Sequence, residues 1–414
     1  MLIINVKFTT DNRLHSIYVN SEGIIECIDC NKKDGLVIDA KGRVISCPFV
    51  NPHSHLGYAL TLKYARYNES GTLIEGVQIT REEILRKIDE EDLRKRLNII
   101  AKMLFINGVL YARSHEPVLN DLAIKMLKVR EEVSDLVKIQ VVAFPTPGYF
   151  YEDNIEKTEK ALEEGAEVVG LIPHSEGSVE EGYKSVKLAV ELALKYNKLI
   201  DGHVDETDDP FSRFSELLAR ESSLKGIGSK TSISHMTASH SYDNWYFHKL
   251  TLLLKESGVS VISNPVVSMH LQGRYDNYPK RRGIARIREM LKNGVNVALG
   301  SDNVVDAIYP LGDYNMLRVV QEAFLVDHFV ASEVTSLIKT IRDNAYRALN
   351  MNKPIIKEGE KAQFIVLQTK SFYDAIRTAL PPFLVVNGKY YAHNNLSLSV
   401  NGKDVSDELI NLVD

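Results

Sequence analysis

The chain has 414 residues, 44% of them hydrophobic and 25% charged, the balance of an ordinary globular protein rather than a disordered or fibrous one. Its 55 acidic residues outnumber its 50 basic ones, a formal net charge of −5, so there is no basic field to attract nucleic acid or anionic lipid. No stretch approaches the ~20 apolar residues of a membrane span, and the opening "MLIINVKFTTDNRLHSIYVN" alternates like a strand instead of following the layout of a secretion signal.

Residues 1–46 read as short strands punctuated by Gly, Asn and Asp, among them "LIINVKFTT", "LHSIYVN", "GIIECID" and "GRVIS". The three cysteines, Cys27, Cys30 and Cys47, cannot build a disulfide framework, so the expected setting is reducing and cytoplasmic. Cys27 and Cys30 form a CxxC with no second pair beside it, and an incidental role is expected for them.

From residue 47 the pattern changes. Apolar runs of strand length alternate with amphipathic stretches of helical period. The runs are "VISCPFV", "GVLYARSH", "VKIQVVAF", "AEVVGLIP", "KLIDGHVDE", "TSISH", "VSVISNP" and "VNVALGSD". Helical stretches such as "EEDLRKRLNIIAKMLFING" and "SVEEGYKSVKLAVELALKYN" lie between them. Eight such units predict an α/β fold, a (β/α)₈ TIM barrel over residues 47–355, because strands apolar on both faces belong to a buried parallel sheet. An open doubly wound sheet would want a Gly-rich dinucleotide turn after its first strand, and none is present. Residues 356–414 return to strand character in "KAQFIVLQT", "FLVVNGKYYAHNN" and "LSLSVNGKDV". Together with residues 1–46 they predict one small composite β domain built from both chain ends.

In a barrel, catalytic groups collect at the C-terminal ends of the strands. His53 and His55 close the first predicted strand. Residues two apart in an extended chain share a face, so both imidazoles can enter the barrel mouth. His203 closes the fifth strand, with Glu206 three residues on; His235 closes the sixth and Asp302 the eighth. A single histidine is more often an ordinary core or surface residue. Several histidines and an aspartate at the ends of four strands instead make a nitrogen-and-oxygen shell suited to zinc or ferrous iron, with an open position for water. Two-metal versions of such sites need a bridging ligand, often a modified lysine at the end of the fourth strand; "AEVVGLIPHSEG" has none, so one divalent ion, Zn²⁺ or Fe²⁺, is expected. His174 and Glu176, at that same strand end, either line the pocket or form a structural hydrogen-bonding pair.

The segments "PFVNPHSHL", "HVDETDD", "SHMTASHSYDN", "NPVVSMHLQGRYDNYPKRRGI" and "SDNVVDAIYPLGDYNML" resemble the cytosine deaminase branch of the amidohydrolase superfamily. The similarity also runs through "NESGTLIEG", "VVAFPTPG" and "EVVGLIPHSE". The paired histidines mark only the superfamily; the long segment ending in "YPKRRGI" is far more specific. The resemblance implies that His53, His55, His203 and Asp302 hold the metal, that Glu206 shuttles protons and that His235 orients the attacking hydroxide. Asp302 would also take the proton that water releases. Hydroxide would then add to an amidine-like ring carbon and ammonia would leave.

Four positions depart from the branch. Thr146 stands where a glutamine usually pairs with the pyrimidine amide edge, Asn303 replaces an aspartate, Ile308 a tryptophan, and Gly57 an aspartate after the histidine pair. With His174, Thr146, Asn303 and Ile308 are the expected substrate-contacting residues, and cytosine is expected to be a poor substrate or not the only good one. The function so implied is a metal-dependent hydrolytic deaminase of a small heterocycle. The alternative is an amidohydrolase that cleaves a cyclic amide or an N-substituted aminotriazine-like ring. The expected partner is the small-molecule substrate, with no nucleic acid and no membrane; assembly as a homo-oligomer fits the resemblance, though no subunit contact can be read from the chain.

Overall fold

The structure, a computed structural model, describes residues 1–11, 13–32, 35–400 and 403–413. Strands β1 (Leu2–Lys7), β2 (Leu14–Val19), β3 (Ile25–Ile28) and β4 (Val37–Asp39) form a four-stranded sheet in the order β3-β2-β1-β4. Next comes a short strand, β5 (Ile45–Ser46), whose place differs from the expectation. The run "VISCPFV" reads as one barrel strand, but β5 pairs antiparallel with a strand near the C-terminus, and only Phe49–Ser54 (β6) enters the barrel. Pro48 stands between them, and a residue without an N–H cannot carry a ladder through.

The barrel continues through β7 (Val109–Pro117), β8 (Lys138–Phe144), β9 (Val168–Leu171), β10 (Leu199–Val204), β11 (Thr231–His235), β12 (Ser260–Ser263) and β13 (Val297–Leu299). These eight strands run parallel in sequence order, each hydrogen-bonded to the next. The ring closes between its first and last strands, where the Asp302 N–H donates to the His53 carbonyl at 3.0 Å beside a Ser54–Asp302 bridge. The closure thus falls on residues already singled out for chemistry.

Most strand residues are buried; every residue of β6, β7 and β9 is inaccessible to solvent or nearly so. Helices cover the outside. The helix Val179–Tyr196 starts where the Ser178 side chain accepts from the Glu181 N–H and ends at Asn197 in a left-handed conformation. Its buried face, Val186, Ala189, Val190 and Ala193, has the three-and-four spacing of an amphipathic helix. No described helix is long and apolar enough to cross a membrane.

After the barrel, β14 (Gln363–Val366), β15 (Leu384–Asn387) and β16 (Tyr390–His393) join β5 in a second four-stranded sheet, ordered β16-β15-β14-β5. A short hairpin, β17 (Ser399–Val400) with β18 (Lys403–Asp404), follows. The two outer sheets share one apolar cluster, in which Ile3, Ile17 and Ile25 pack with Phe364, Val366 and Val386. An Ile24–Lys361 bridge also ties them. Between β14 and β15 the chain turns back to the barrel, and Asn315 and Gln321 side chains donate to carbonyls of the helix Phe372–Thr378 and of Ala379 just after it. Cys27 and Cys30 are joined as a disulfide, with Cα atoms 6.0 Å apart, where the sequence suggests an incidental pair. Cys47 is a buried free thiol.

Candidate active site

The strand ends bring His53, His55, His203, His235, Glu206 and Asp302 into one buried cluster at the barrel mouth. His55 Nε2 lies 3.2 Å from His203 Nε2 and 3.4 Å from Asp302 Oδ1, and His53 Nε2 lies 3.6 Å from that same oxygen. His235 Nδ1 is 3.2 Å from Glu206 Oε1 and 3.8 Å from Asp302 Oδ2. The backbone is bent to present some of these groups: His235 has φ 73° and Asp302 φ 62°, left-handed values that cost energy for residues with a Cβ.

The hydrogen-bond accounting shows what the cluster suits. His53 Nε2 and both Asp302 carboxylate oxygens are buried without a partner. An unpartnered imidazole nitrogen beside an unsatisfied carboxylate at 1% exposure would cost several kcal/mol were nothing placed among them. A divalent cation satisfies all of these lone pairs at once, so the donor set fits the metal that the sequence implies. Burial also lowers the pKa of all four histidines, that of His55 to about 3, which keeps them in the neutral state that binds a cation. Burial, and then the charge of Asp302, raises Glu206 well above the usual carboxylate range.

Thr146, Asn303 and Ile308 line an inner chamber of ≈ 50 Å³ together with His55, His203, His235, Glu206 and Asp302. Leu73, Val77, Phe144 and Ile172 supply apolar wall. The Asn303 amide donates to Asp306 Oδ2 at 2.8 Å, so its orientation is fixed from behind. His174 is placed differently. It lines an outer cavity of ≈ 540 Å³ that shares Thr146, Ile172 and Glu206 with the inner chamber. Glu176 does not act with it: its carboxylate accepts from the Tyr149 and Phe150 N–H groups at 2.8 and 3.3 Å, clamping the loop after β8.

Several neighbours escape the sequence reading. His115, at the end of β7, lies wholly buried against the His53 ring at a centroid distance of 4.1 Å. It ends "YARSH", so the strand-end rule alone would have found it. Asp201 alternates with His203 on β10 and shares its face; the same period-two argument used for His53 and His55 points to it. Asn264 reaches the His235 ring at 3.3 Å.

Glu116 explains the departure at position 57. A Cβ added to Gly57 would lie 1.9 Å from Glu116 Oε2, while the Gly57 N–H donates to Oε1 at 3.0 Å. The glutamate carboxyl therefore fills the space a side chain at 57 would need. Burial pushes it up to about 8, against the Ser114 and Gly57 hydrogen bonds that favour the charge. An unfolded glutamate ionises near ~4.3, so the unfolded state sheds this proton at lower pH than the folded one, and stability should fall as pH rises between the two values. Urea unfolding of Glu116→Gln from about pH 5 to about pH 8 is expected to show a flatter loss of stability than wild type. Equal slopes would mean that Glu116 is ionised in the folded protein.

The amidohydrolase family matches residues 173–382. The crystal structure of 5-methylcytosine deaminase from Klebsiella pneumoniae liganded with 5-fluorocytosine superposes with a TM-score of 0.91 and 36% sequence identity, covering 97% of this chain and 99% of that one. The chain belongs to the cytosine deaminase branch of the amidohydrolase superfamily. Curated relatives are more distant. N-isopropylammelide isopropyl amidohydrolase of Pseudomonas sp. (strain ADP) is 25% identical over 90% of this chain and 91% of its own length. Pterin deaminase of Rhizobium rhizogenes is 24% identical over 70% of this chain and 67% of its own length. The membership carries a divalent metal and hydrolysis of carbon–nitrogen bonds as family properties.

Proposed function

We propose that the protein is a hydrolytic deaminase of an aminopyrimidine, with His53, His55, His203 and Asp302 holding one Zn²⁺ or Fe²⁺. The observation that carries this is the convergence of unpartnered, buried nitrogen and oxygen atoms on one point of the barrel mouth. A bound divalent cation lowers the pKa of water from 15.7 towards ~7 and so supplies hydroxide at neutral pH.

The chain's own residues do the rest. Glu206, raised in pKa by burial and by Asp302, is biased towards its protonated form and sits at the wall of the chamber, where it supplies a proton. It delivers that proton to a ring nitrogen, which makes the amine-bearing carbon electrophilic. Once ionised, it takes the proton of the added hydroxyl and passes it to the departing amine, and the proton that Asp302 receives from water then restores it. His235 is fixed between Glu206 and Asn264, from where it orients the nucleophile. Asp302, beside His235, accepts the proton that water gives up. The apolar wall of Val77, Phe144 and Ile172 excludes bulk water and strengthens each of these interactions.

The substrate we propose is a cytosine-type ring with a small substituent at carbon 5. The K. pneumoniae enzyme, similar over nearly the whole chain, acts on 5-methylcytosine. Neutral Asn303, its amide engaged by Asp306, replaces a charge whose desolvation beside a methyl group would be costly, and Ile308 leaves more room than an aromatic ring. In an ammonia-release assay with Zn²⁺ or Fe²⁺ supplied, 5-methylcytosine is expected to give a kcat/KM at least equal to that of cytosine. A clear preference for cytosine would overturn the substrate. The second reading, cleavage of an N-alkylated aminotriazine, is favoured by the likeness to the Pseudomonas enzyme. Alkylamine release from such a ring, with no ammonia from any pyrimidine, would establish it in place of the first.

A further inference from the structure

Beneath the metal-binding atoms lies a second polar layer that the mechanism does not use. Arg113 from β7, Asp201 from β10, and Ser232 and Ser234 from the adjacent β11 are all buried inside the barrel. The Arg113 guanidinium donates to Asp201 Oδ2 at 2.8 Å, to the Ala348 carbonyl at 3.1 Å and to Gln140 Oε1 at 3.1 and 3.2 Å. The Ser234 hydroxyl donates to the other Asp201 oxygen at 2.7 Å and stands 2.8 Å from His53 Nδ1.

These contacts have only one consistent proton arrangement. A carboxylate paired with a guanidinium is acceptor-only, so the single hydroxyl proton of Ser234 is committed to Asp201. Towards His53 the serine oxygen can then only accept. His53 Nδ1 must carry the ring proton, and Nε2 is left as a bare lone pair facing Asp302 and the other histidines. His55 reaches the same state by another route, its Nδ1 lying 3.0 Å from the His115 backbone carbonyl, which cannot donate.

We propose that Ser234 and Asp201 are positioning residues that fix the tautomer and ring orientation of His53 for metal binding. Arg113 locks the carboxylate that starts the chain. The reason for such a layer is physical. A buried neutral imidazole free to choose its tautomer would spend part of its time with a proton on the nitrogen that must bind the cation. Partners of this kind behind a ligating histidine typically govern metal affinity by 10–100-fold.

The proposal rests on the metal site proposed above, and two readouts separate its failure from that of the site. The first needs neither metal nor a variant: nitrogen-15 histidine spectra of the full-length, metal-free wild-type protein should show His53 protonated at Nδ1, whereas a proton on Nε2 would overturn the proposal. The second is the Zn²⁺ dissociation constant by chelator competition. Ser234→Ala is expected to raise it about 10–100-fold, and Ser234→Thr, which keeps the hydroxyl, to restore a near wild-type value. Ser232→Ala supplies the control, since its hydroxyl belongs to the same buried layer through Arg113 and Ala348 but does not touch His53. It should leave the constant unchanged. Wild-type affinity in Ser234→Ala, or equal weakening in Ser232→Ala, would reduce the layer to a structural role. A wild-type protein that binds neither Zn²⁺ nor Fe²⁺ would refute the metal site and leave the spectra to decide the tautomer.

Discussion

His203→Ala is expected to abolish both stoichiometric metal binding and deamination while leaving the barrel folded. The His203 side chain is only 4% exposed, and its Nε2 faces His55 Nε2 at 3.2 Å. Removing it deletes one nitrogen from the proposed four-donor set and opens the shell on that side, so tight stoichiometric binding is expected to be lost. Without one, hydroxide is scarce at neutral pH, and the rate should fall by more than about 10⁴-fold. The fold should survive because β10 is held to β9 and β11 through its backbone, and Ala keeps that ladder. The ring does pack on Phe144 at a centroid distance of 4.3 Å, so a cavity cost of about 2–4 kcal/mol is expected, large but below the stability of a typical domain. Elemental analysis and circular dichroism check the two halves. A variant that retains one ion per chain would remove His203 from the ligand set, and two tightly bound ions in wild type would contradict a single-metal site.

Glu206→Gln should keep the metal and lose about 10²–10⁴-fold in kcat. The amide preserves the shape of the carboxyl against His235 but has no proton to transfer. Glu206 is suited to the task because burial and the Asp302 charge favour its protonated form more than an ordinary glutamate's surroundings do. Steady-state kinetics on a confirmed substrate, with metal content measured in the same preparation, separates this from ligand loss. A rate within a few-fold of wild type would mean that another group carries the proton.

What could be read in the sequence follows from periodicity. The barrel strands announce themselves as apolar runs, and strand ends are where a barrel presents its chemistry, so His53, His55, His203, His235 and Asp302 could be placed on the same rim without coordinates. Glu206 followed from its position just beyond β10. What could not be read arises from contacts between strands that no local pattern encodes. Ser234 is an unremarkable residue in "TSISH"; only packing places it against His53, 181 residues away. Gly57 reads as a loss until Glu116 is seen occupying its space. The split of "VISCPFV" at Pro48 was legible in principle, because a proline inside an apolar run argues against one continuous strand.

The shared cluster of the two outer sheets bears on how the protein is made. Ile3, Ile17 and Ile25 leave the ribosome before the barrel, whereas Phe364, Val366 and Val386, against which they pack, leave only after it. At about 5–20 residues per second the N-terminal sheet must wait tens of seconds with its apolar face uncovered. During that interval the whole barrel emerges and can close on its own, since each of its strands pairs with the next in sequence. Strands translated before the barrel therefore reach their final packing only after it, and until then the nascent chain offers β1–β3 as an adhesive surface to any chaperone or neighbouring chain nearby.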